Sequence, residues 1–380
     1  MIYLDHAATS WPKPEEVYQT MDRFLRDAGG NPGRAGHRLA REAERTILEV
    51  RTRAARFFGA PRTEGVVFTL NATDSLNMAL KGLLRPGDHV ITSSLEHNSV
   101  ARPLNRLAAQ GVEVTRLPVD SEGFVDLEVL HRSIKTNTRA IVVAHASNVL
   151  GTVQPIREIG RIAKEHDLFF VVDAAQTAGH LPIDVEECQI DVLACSGHKG
   201  LLGPPGVGLM IVKDELPLLP WREGGTGSHS EEAVQPAAYP YRLESGTPNT
   251  VGIAGLGAGI AFIQKKGLAA IRQHEEALLN RLVEGLRAIS GVQVYGPQKV
   301  FHRTGVVSFN LVGWDPSDVV AVLENAYQIA ARAGLHCAPW AHQAIGTFPA
   351  GCVRFGVGWS NTLEEIEQAV SAVERLSASS

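Results

Sequence analysis

Cysteine is scarce in this chain. Four residues, Cys188, Cys195, Cys337 and Cys352, occur among 380, and so few thiols in so long a sequence make no disulfide framework. A positive charge excess is also lacking: 36 Lys plus Arg stand against 41 Asp plus Glu, a formal net charge of -5. Broad charge attraction to nucleic acid or to an anionic membrane is therefore excluded as a working principle, although a local anion site is not. No window holds the ~18 unbroken apolar residues that a membrane helix needs. The segment Met1 to His6 has no basic stretch followed by an apolar core, so no secretory signal is visible. The expectation is a cytoplasmic protein without nucleic-acid or membrane partners.

What is present is ordinary globular material, 44% hydrophobic and 20% charged, in a length that suggests two or three domains at roughly 100–200 residues each. From about residue 60 short apolar runs alternate with amphipathic stretches. Runs at 66–69, 89–92, 112–115, 140–144, 169–172, 192–194 and 208–212 read as strands. Helical spacing appears at 75–81, 100–109 and 156–163. The continuous apolar runs are those of strands covered on both faces, and their alternation with helices predicts a mostly parallel sheet in an α/β fold. A Gly/Ser/Pro-rich stretch at 224–248 reads as a long functional loop. After it, helices near 253–266, 275–289, 317–327 and 363–376 and strands near 292, 306–311 and 353–357 predict a smaller α+β part. The predicted division is a large domain over 15–250 and a small one made of 1–14 and 251–380.

In an open α/β sheet ligands bind beyond the carboxyl ends of the strands. The residues that follow the apolar runs are polar in five places: Asn71-Ala72-Thr73, Glu96-His97-Asn98, Ser147-Asn148, Asp173-Ala174-Ala175-Gln176 and Ser196-Gly197-His198-Lys199. One Asp or Asn after a strand is a turn or a helix cap; five on one rim suggest a site. Asp173 ends a buried run and needs a partner for its charge, such as a protonated ring nitrogen. Lys199 at the lip of an apolar site suits capture of an aldehyde. A helix beginning at Ala72 and Thr73 favours a phosphate, and His97 offers a flat ring for stacking. A phosphorylated pyridine aldehyde, pyridoxal phosphate, meets all four demands.

Taken with Tyr3-Leu4-Asp5-His6-Ala7-Ala8-Thr9, Glu244-Ser245-Gly246-Thr247-Pro248-Asn249 and Arg332-Ala333-Gly334-Leu335-His336-Cys337, these segments make the sequence similar, over nearly its whole length, to the class V aminotransferase family, in its cysteine desulfurase and selenocysteine lyase group. The resemblance implies pyridoxal-phosphate transferase fold type I, with a seven-stranded sheet. It implies that Lys199 carries the cofactor, that Asp173 holds the pyridine nitrogen and that Gln176 bonds the ring oxygen. His97 would stack on the ring and act in catalysis. Ala72, Thr73, Ser196 and His198 would hold the phosphate, joined by Thr247 of a second protomer, hence a homodimer. Asn148 and Arg354 would grip the substrate carboxylate, with His37 and Arg332 nearby, and Cys337 would be the nucleophile in the small domain. Two positions depart from the pattern: Ala72 stands where a hydroxyl is frequent, and Trp340 lies close after Cys337.

The activity implied is conversion of L-cysteine to L-alanine, with the sulfur passed from Cys337 to an acceptor protein. Three alternatives stay open on the sequence: a selenocysteine lyase, an aminotransferase or lyase that does not use Cys337, and a scaffold without chemistry. No metal is expected. Cys195 with His198, and His336-Cys337 with His342, have metal-like spacing, but neither has a second matched pair.

Overall fold

A computed structural model describes residues 1–33, 36–213, 216–228 and 230–378. In chain order its strands are β1 (Ile2–Tyr3), β2 (Val66–Thr69), β3 (His89–Ser93), β4 (Glu113–Leu117), β5 (Thr138–Ala144), β6 (Phe169–Asp173), β7 (Val192–Ser196), β8 (Gly208–Val212), β9 (Val292–Val294), β10 (Val306–Leu311), β11 (Ile329–Ala330), β12 (Arg332–Gly334) and β13 (Cys352–Gly356). The helices are α1 (Glu15–Asp27), α2 (Arg38–Phe57), α3 (Ala72–Leu83), α4 (Asn98–Ala108), α5 (Leu127–Arg132), α6 (Ile156–Glu165), α7 (Thr250–Lys266), α8 (Leu268–Ala288), α9 (Pro316–Tyr327), α10 (Pro339–Ala344) and α11 (Leu363–Ser377). No helix among the described residues is long and apolar enough to cross a membrane.

Seven strands form one sheet in the order β2-β8-β7-β6-β5-β3-β4. Only β8 runs against its neighbours; the others are parallel, as the apolar runs predict. The buried runs alternate between two cores. Val66, Phe68, Phe170, Val172 and Leu193 face one side, while Val67, Val171, Val192 and Ala194 face the other. Burying both faces, at about 1.5–3 kcal/mol for each large apolar side chain, fixes the register, because a slip of one residue would exchange the two faces.

Two helices ahead of residue 60 escaped the periodicity. The buried residues of α2 include Ala40, Ala43, Ala54 and Ala55 in a charge-rich sequence, so its inward stripe is small and weakly hydrophobic. It packs, with α1, against α7. Glycine permits this approach: a Cβ on Gly257 would lie 2.4 Å from Val50 Cγ2, and one on Gly255 2.8 Å from Met21 Sδ. Ile253, Leu256, Ile260 and Ile263 of α7 join the core beneath the large sheet. The stretch 224–248 holds no helix or strand among its described residues.

A second sheet, β12-β13-β10-β9, is antiparallel and shares a core with α8, α9 and α11. It is fastened to the large sheet's loops by Arg303, which is fully buried. Its guanidinium donates to the carbonyls of Pro297 (2.6 Å), Leu150 (3.1 Å), Val306 (3.3 Å) and Tyr295. Burial depresses its pKa to about 9. Replacing it by Met strands four buried acceptors, so Arg303→Met is expected to lower stability by about 3–5 kcal/mol; denaturant unfolding, read at constant slope, measures the loss.

Candidate active site

The carboxyl ends of β3, β5, β6 and β7, four adjacent parallel strands, open on one edge of the sheet, and β2 runs the same way. At the β2 end, Asn71 caps α3 by accepting the Asp74 N–H at 3.0 Å. The Ala72 N–H donates to Ser196 Oγ at 3.2 Å. Thr73 Oγ1 lies 2.6 Å from Ser99 Oγ, which lies 2.8 Å from His97 Nδ1.

His97 is itself the cap of α4, its Nδ1 accepting the Ser99 N–H at 3.0 Å. A backbone N–H can only donate, so Nδ1 is an acceptor and the neutral ring carries its proton on Nε2. Burial lowers the His97 pKa to about 4, with the charges of Lys199, Arg354 and Arg102 acting in the same direction. The ring is neutral at pH 7.

Asp173 is buried at the end of β6, with Oδ1 accepting the Ala175 N–H at 2.9 Å. Burial raises its pKa, opposed by that hydrogen bond and by Lys199. Lys199 has its pKa lowered to about 8, chiefly by burial and against the pull of Asp173; its ammonium has no hydrogen-bond or salt-bridge partner among the described residues. The Lys199 and His198 carbonyls are held from outside: Ser10 Oγ donates to Lys199 O at 2.9 Å, and Lys13 Nζ to His198 O at 2.7 Å. Thr9 Oγ1 meets His198 Nδ1 at 3.1 Å, and the Gln176 amide donates to Ala7 O at 3.0 Å.

Nine of the expected residues line one cavity of about 230 Å³: Ala72, Thr73, His97, Asn148, Asp173, Gln176, Ser196, His198 and Lys199. A second cleft, of about 370 Å³, shares Thr73, His97 and Ser99 with it and has Cys337 on its wall. Cys337 is exposed. It sits on a turn between β12 and α10 where Gly334, His336 and Cys337 all have positive φ, +103°, +48° and +57°, a conformation costing about 1–3 kcal/mol for each non-glycine residue. Three contacts hold the turn: the Asn98 N–H to Cys337 O at 2.7 Å, Asn148 Nδ2 to His336 O at 2.7 Å, and His336 Nε2 to Cys352 O at 3.0 Å. Trp340 lies one turn beyond, under the guanidinium of Arg116 at 4.9 Å.

Arg354 reaches the site from β13. It is buried and donates to Asn148 O at 3.0 Å and to Asp5 Oδ1 at 3.2 Å. Arg332 is half-exposed and bonds the other Asp5 oxygen at 2.8 Å. Arg354, Arg332 and Cys337 stand beside the cavity without lining it, and two further expected residues lie away from it. His37 is exposed and caps α2, its Nδ1 accepting the Ala40 N–H at 3.3 Å; Thr247 is exposed on the 224–248 side. Three residues had no role assigned from the sequence. Asp5 carries both arginines, and Ser99 links Thr73 to His97. Glu96 is fully buried, with Oε1 accepting from Ser93 Oγ at 2.6 Å and from the Ala144 N–H at 3.1 Å. A hydroxyl two residues into a helix capped by His was the one available signal for Ser99.

A class-V aminotransferase family model matches residues 2–369, and the chain belongs to that family. Membership implies pyridoxal phosphate. A probable cysteine desulfurase of Methanothermobacter thermautotrophicus is 35% identical over 99% of this chain and 94% of its own. Among solved structures, an apo cysteine desulfurase from Thermococcus onnurineus superposes with a TM-score of 0.94 at 37% identity, covering 100% of this chain and 95% of the other. A cysteine desulfurase from Escherichia coli gives 0.88 at 30% identity, covering 98% and 94%.

Burial pushes the Glu96 pKa up to about 8, so its carboxyl is protonated in the folded protein at neutral pH. A carboxyl whose folded pKa is raised contributes stability that is complete below its unfolded pKa and is lost as pH rises through the folded one. Glu96→Gln, which keeps the neutral shape, should therefore gain on the wild type by a few kcal/mol between about pH 4.5 and 8. Unfolding free energies at several pH values test this; a constant difference would reject it.

Proposed function

We propose that this chain is a pyridoxal-phosphate-dependent cysteine desulfurase, which releases L-alanine from L-cysteine and keeps the sulfur as a persulfide on Cys337. The observation that carries this reading is an exposed thiol on a left-handed turn, on the wall of a cleft that shares Thr73, His97 and Ser99 with the Lys199 cavity. The names of the relatives support it.

The donor set fits the cofactor. A buried carboxyl group with one backbone donor, a lysine without a hydrogen-bond partner for its amine among the described residues, a neutral imidazole and the start of α3 all line one cavity. Lys199 would hold the aldehyde carbon, Asp173 the ring nitrogen and Gln176 the ring oxygen, with His97 against the ring face. The Ala72 N–H, Thr73, Ser196 and His198 would take the phosphate. Bound there, the cofactor supplies an electron sink for the substrate α-carbon.

The chain's own groups do the rest. Arg354 and Asn148 bind the substrate carboxylate, the guanidinium fork suiting a bidentate contact. Lys199 Nζ, whose pKa is lowered by burial, takes the proton from the α-carbon. Cys337 Sγ, as thiolate, forms an S–S bond to the substrate sulfur. The C–S bond breaks with its electron pair left on the β-carbon, which takes a proton; Lys199 returns its proton to the α-carbon, and alanine departs. The persulfide then passes to an acceptor protein in the cytoplasm. Because Thr247 lies outside the cavity of its own protomer, we place it in the phosphate site of a second one, in a homodimer.

Cys337→Ala should lower alanine formation from L-cysteine at least about 100-fold, while the visible absorbance of the loaded protein persists. Retained desulfuration would remove Cys337 from the mechanism. Appearance of a keto acid in place of alanine would indicate an aminotransferase.

A further inference from the structure

Beside the nucleophile turn lies a cluster that this chemistry does not use. His336 precedes Cys337 on the turn, His342 is on α10 and Cys352 opens β13. All three are buried, His342 and Cys352 completely and His336 to 9% exposure. One ligand atom from each lies within 4.8 Å of the others.

The hydrogen bonds give each imidazole a direction. His336 Nε2 bonds the Cys352 carbonyl at 3.0 Å. A carbonyl can only accept, so Nε2 carries the proton and Nδ1 is left with a bare lone pair. His342 Nδ1 meets Thr347 Oγ1 at 2.7 Å, which allows the same arrangement with Nε2 bare. His336 Nδ1 and His342 Nε2 are both among the buried ring nitrogens without a hydrogen-bond partner. A metal-bound histidine shows this pattern: its other N–H is anchored on a carbonyl or a similar acceptor, and the free nitrogen is aimed at the ion.

We propose that His336 Nδ1, His342 Nε2 and Cys352 Sγ bind a zinc ion that fastens the nucleophile turn to β13. One thiolate with two imidazoles suits zinc and is wrong for the hard, oxygen-preferring cations. Bonds of about 2.3 Å to sulfur and 2.0–2.1 Å to nitrogen set tetrahedral ligand atoms roughly 3.3–3.7 Å apart, so from separations within 4.8 Å the three close on one another by up to about 1.5 Å. Binding releases the Cys352 thiol proton to solvent, and a water takes the fourth position. The sequence spacing, read as metal-free, had only His336, Cys337 and His342 to offer. The fold turns Cys337 outward and brings Cys352 in from the next strand. The site stands apart from the proposed reaction, since none of its ligands is assigned a step there.

The test uses the cofactor-loaded protein, stripped with a chelator and re-equilibrated with Zn²⁺, then with Co²⁺ as a spectroscopic probe. About one zinc per chain by elemental analysis is expected, in the wild type and in Cys337→Ser alike, with a cobalt–thiolate charge-transfer band in both. Cys352→Ser should lose the band, and His342→Gln should weaken uptake at least about 100-fold, cofactor absorbance reporting on their folding. No zinc uptake at micromolar concentration would overturn the proposal, leaving a thiol weakly hydrogen-bonded to an imidazole. So would a wild-type cobalt spectrum without a thiolate band, or a band that disappears in Cys337→Ser. The wild-type and Cys337→Ser spectra decide the matter even where a core variant fails to fold.

Discussion

The carboxylate of Asp5 is the point on which this site hangs. It is 9% exposed and is shared by two guanidiniums, Arg332 from β12 and Arg354 from β13. A buried arginine without a counter-charge would be strongly destabilising, and removing one partner of such a group is worse than never having built it. Asp5 therefore fixes where Arg354 can lie. The segment behind it is fixed in turn, because Asp5 bridges to Gly356 and the chain then crosses the rim of the large sheet. There Ala7, Ser10 and Lys13 engage Gln176 and the carbonyls of His198 and Lys199. One short N-terminal strap thus sets the antiparallel sheet against the loop that bears the lysine, and a cavity between two sheets acquires a single geometry.

Within that cavity burial has opposite effects on opposite charges. It raises the Asp173 pKa and lowers that of Lys199 to about 8, so each alone would tend toward its neutral form. Each charge then moderates the other, Lys199 pulling Asp173 down and Asp173 pulling Lys199 up. His97 has no such counterweight. Burial and three nearby cations all act in the same sense, and the imidazole stays uncharged. An acid whose pKa is raised, a lysine whose proton is held less tightly than usual and a neutral ring with its proton on Nε2 share one cavity because burial acts on all three.

What could be read from the sequence follows the same physics. Asp173 was legible because an acid ending an unbroken apolar run has to be neutralised, and Lys199 because glycines and a neighbouring strand end marked a lip. The large sheet was legible from its uninterrupted runs, whose residues alternate between two cores. Helix α2 was not, because its buried stripe is largely alanine and its packing depends on glycines in α7, some 200 residues away. The placement of Asp5 and Cys352 was not legible for a different reason. Their neighbours in space come from distant strands, and no local spacing encodes a register such as Gly334 opposite Cys352. Arg354, Thr247 and Cys337 were reached through family resemblance; periodicity alone does not distinguish them.

The turn carrying Cys337 joins these threads. Two consecutive non-glycine residues in the left-handed region store about 1–3 kcal/mol each, and such a turn persists only where its surroundings over-determine it. Here the constraints arrive from three sides: Asn98 at the head of α4, Asn148 beyond β5, and the Cys352 carbonyl on β13. The first two belong to the large sheet and the third to the small one. A thiol held this way is exposed without being free to wander, and its distance from the lysine cavity is set by the packing of the two sheets. Since Asp5 governs that packing through Arg354, a perturbation at the N-terminal strap reaches the Cys337 turn through Arg354 and Asn148. The Cys337 thiol and the Lys199 amine are thereby positioned by the same buried ion pair, although neither has a hydrogen bond to it.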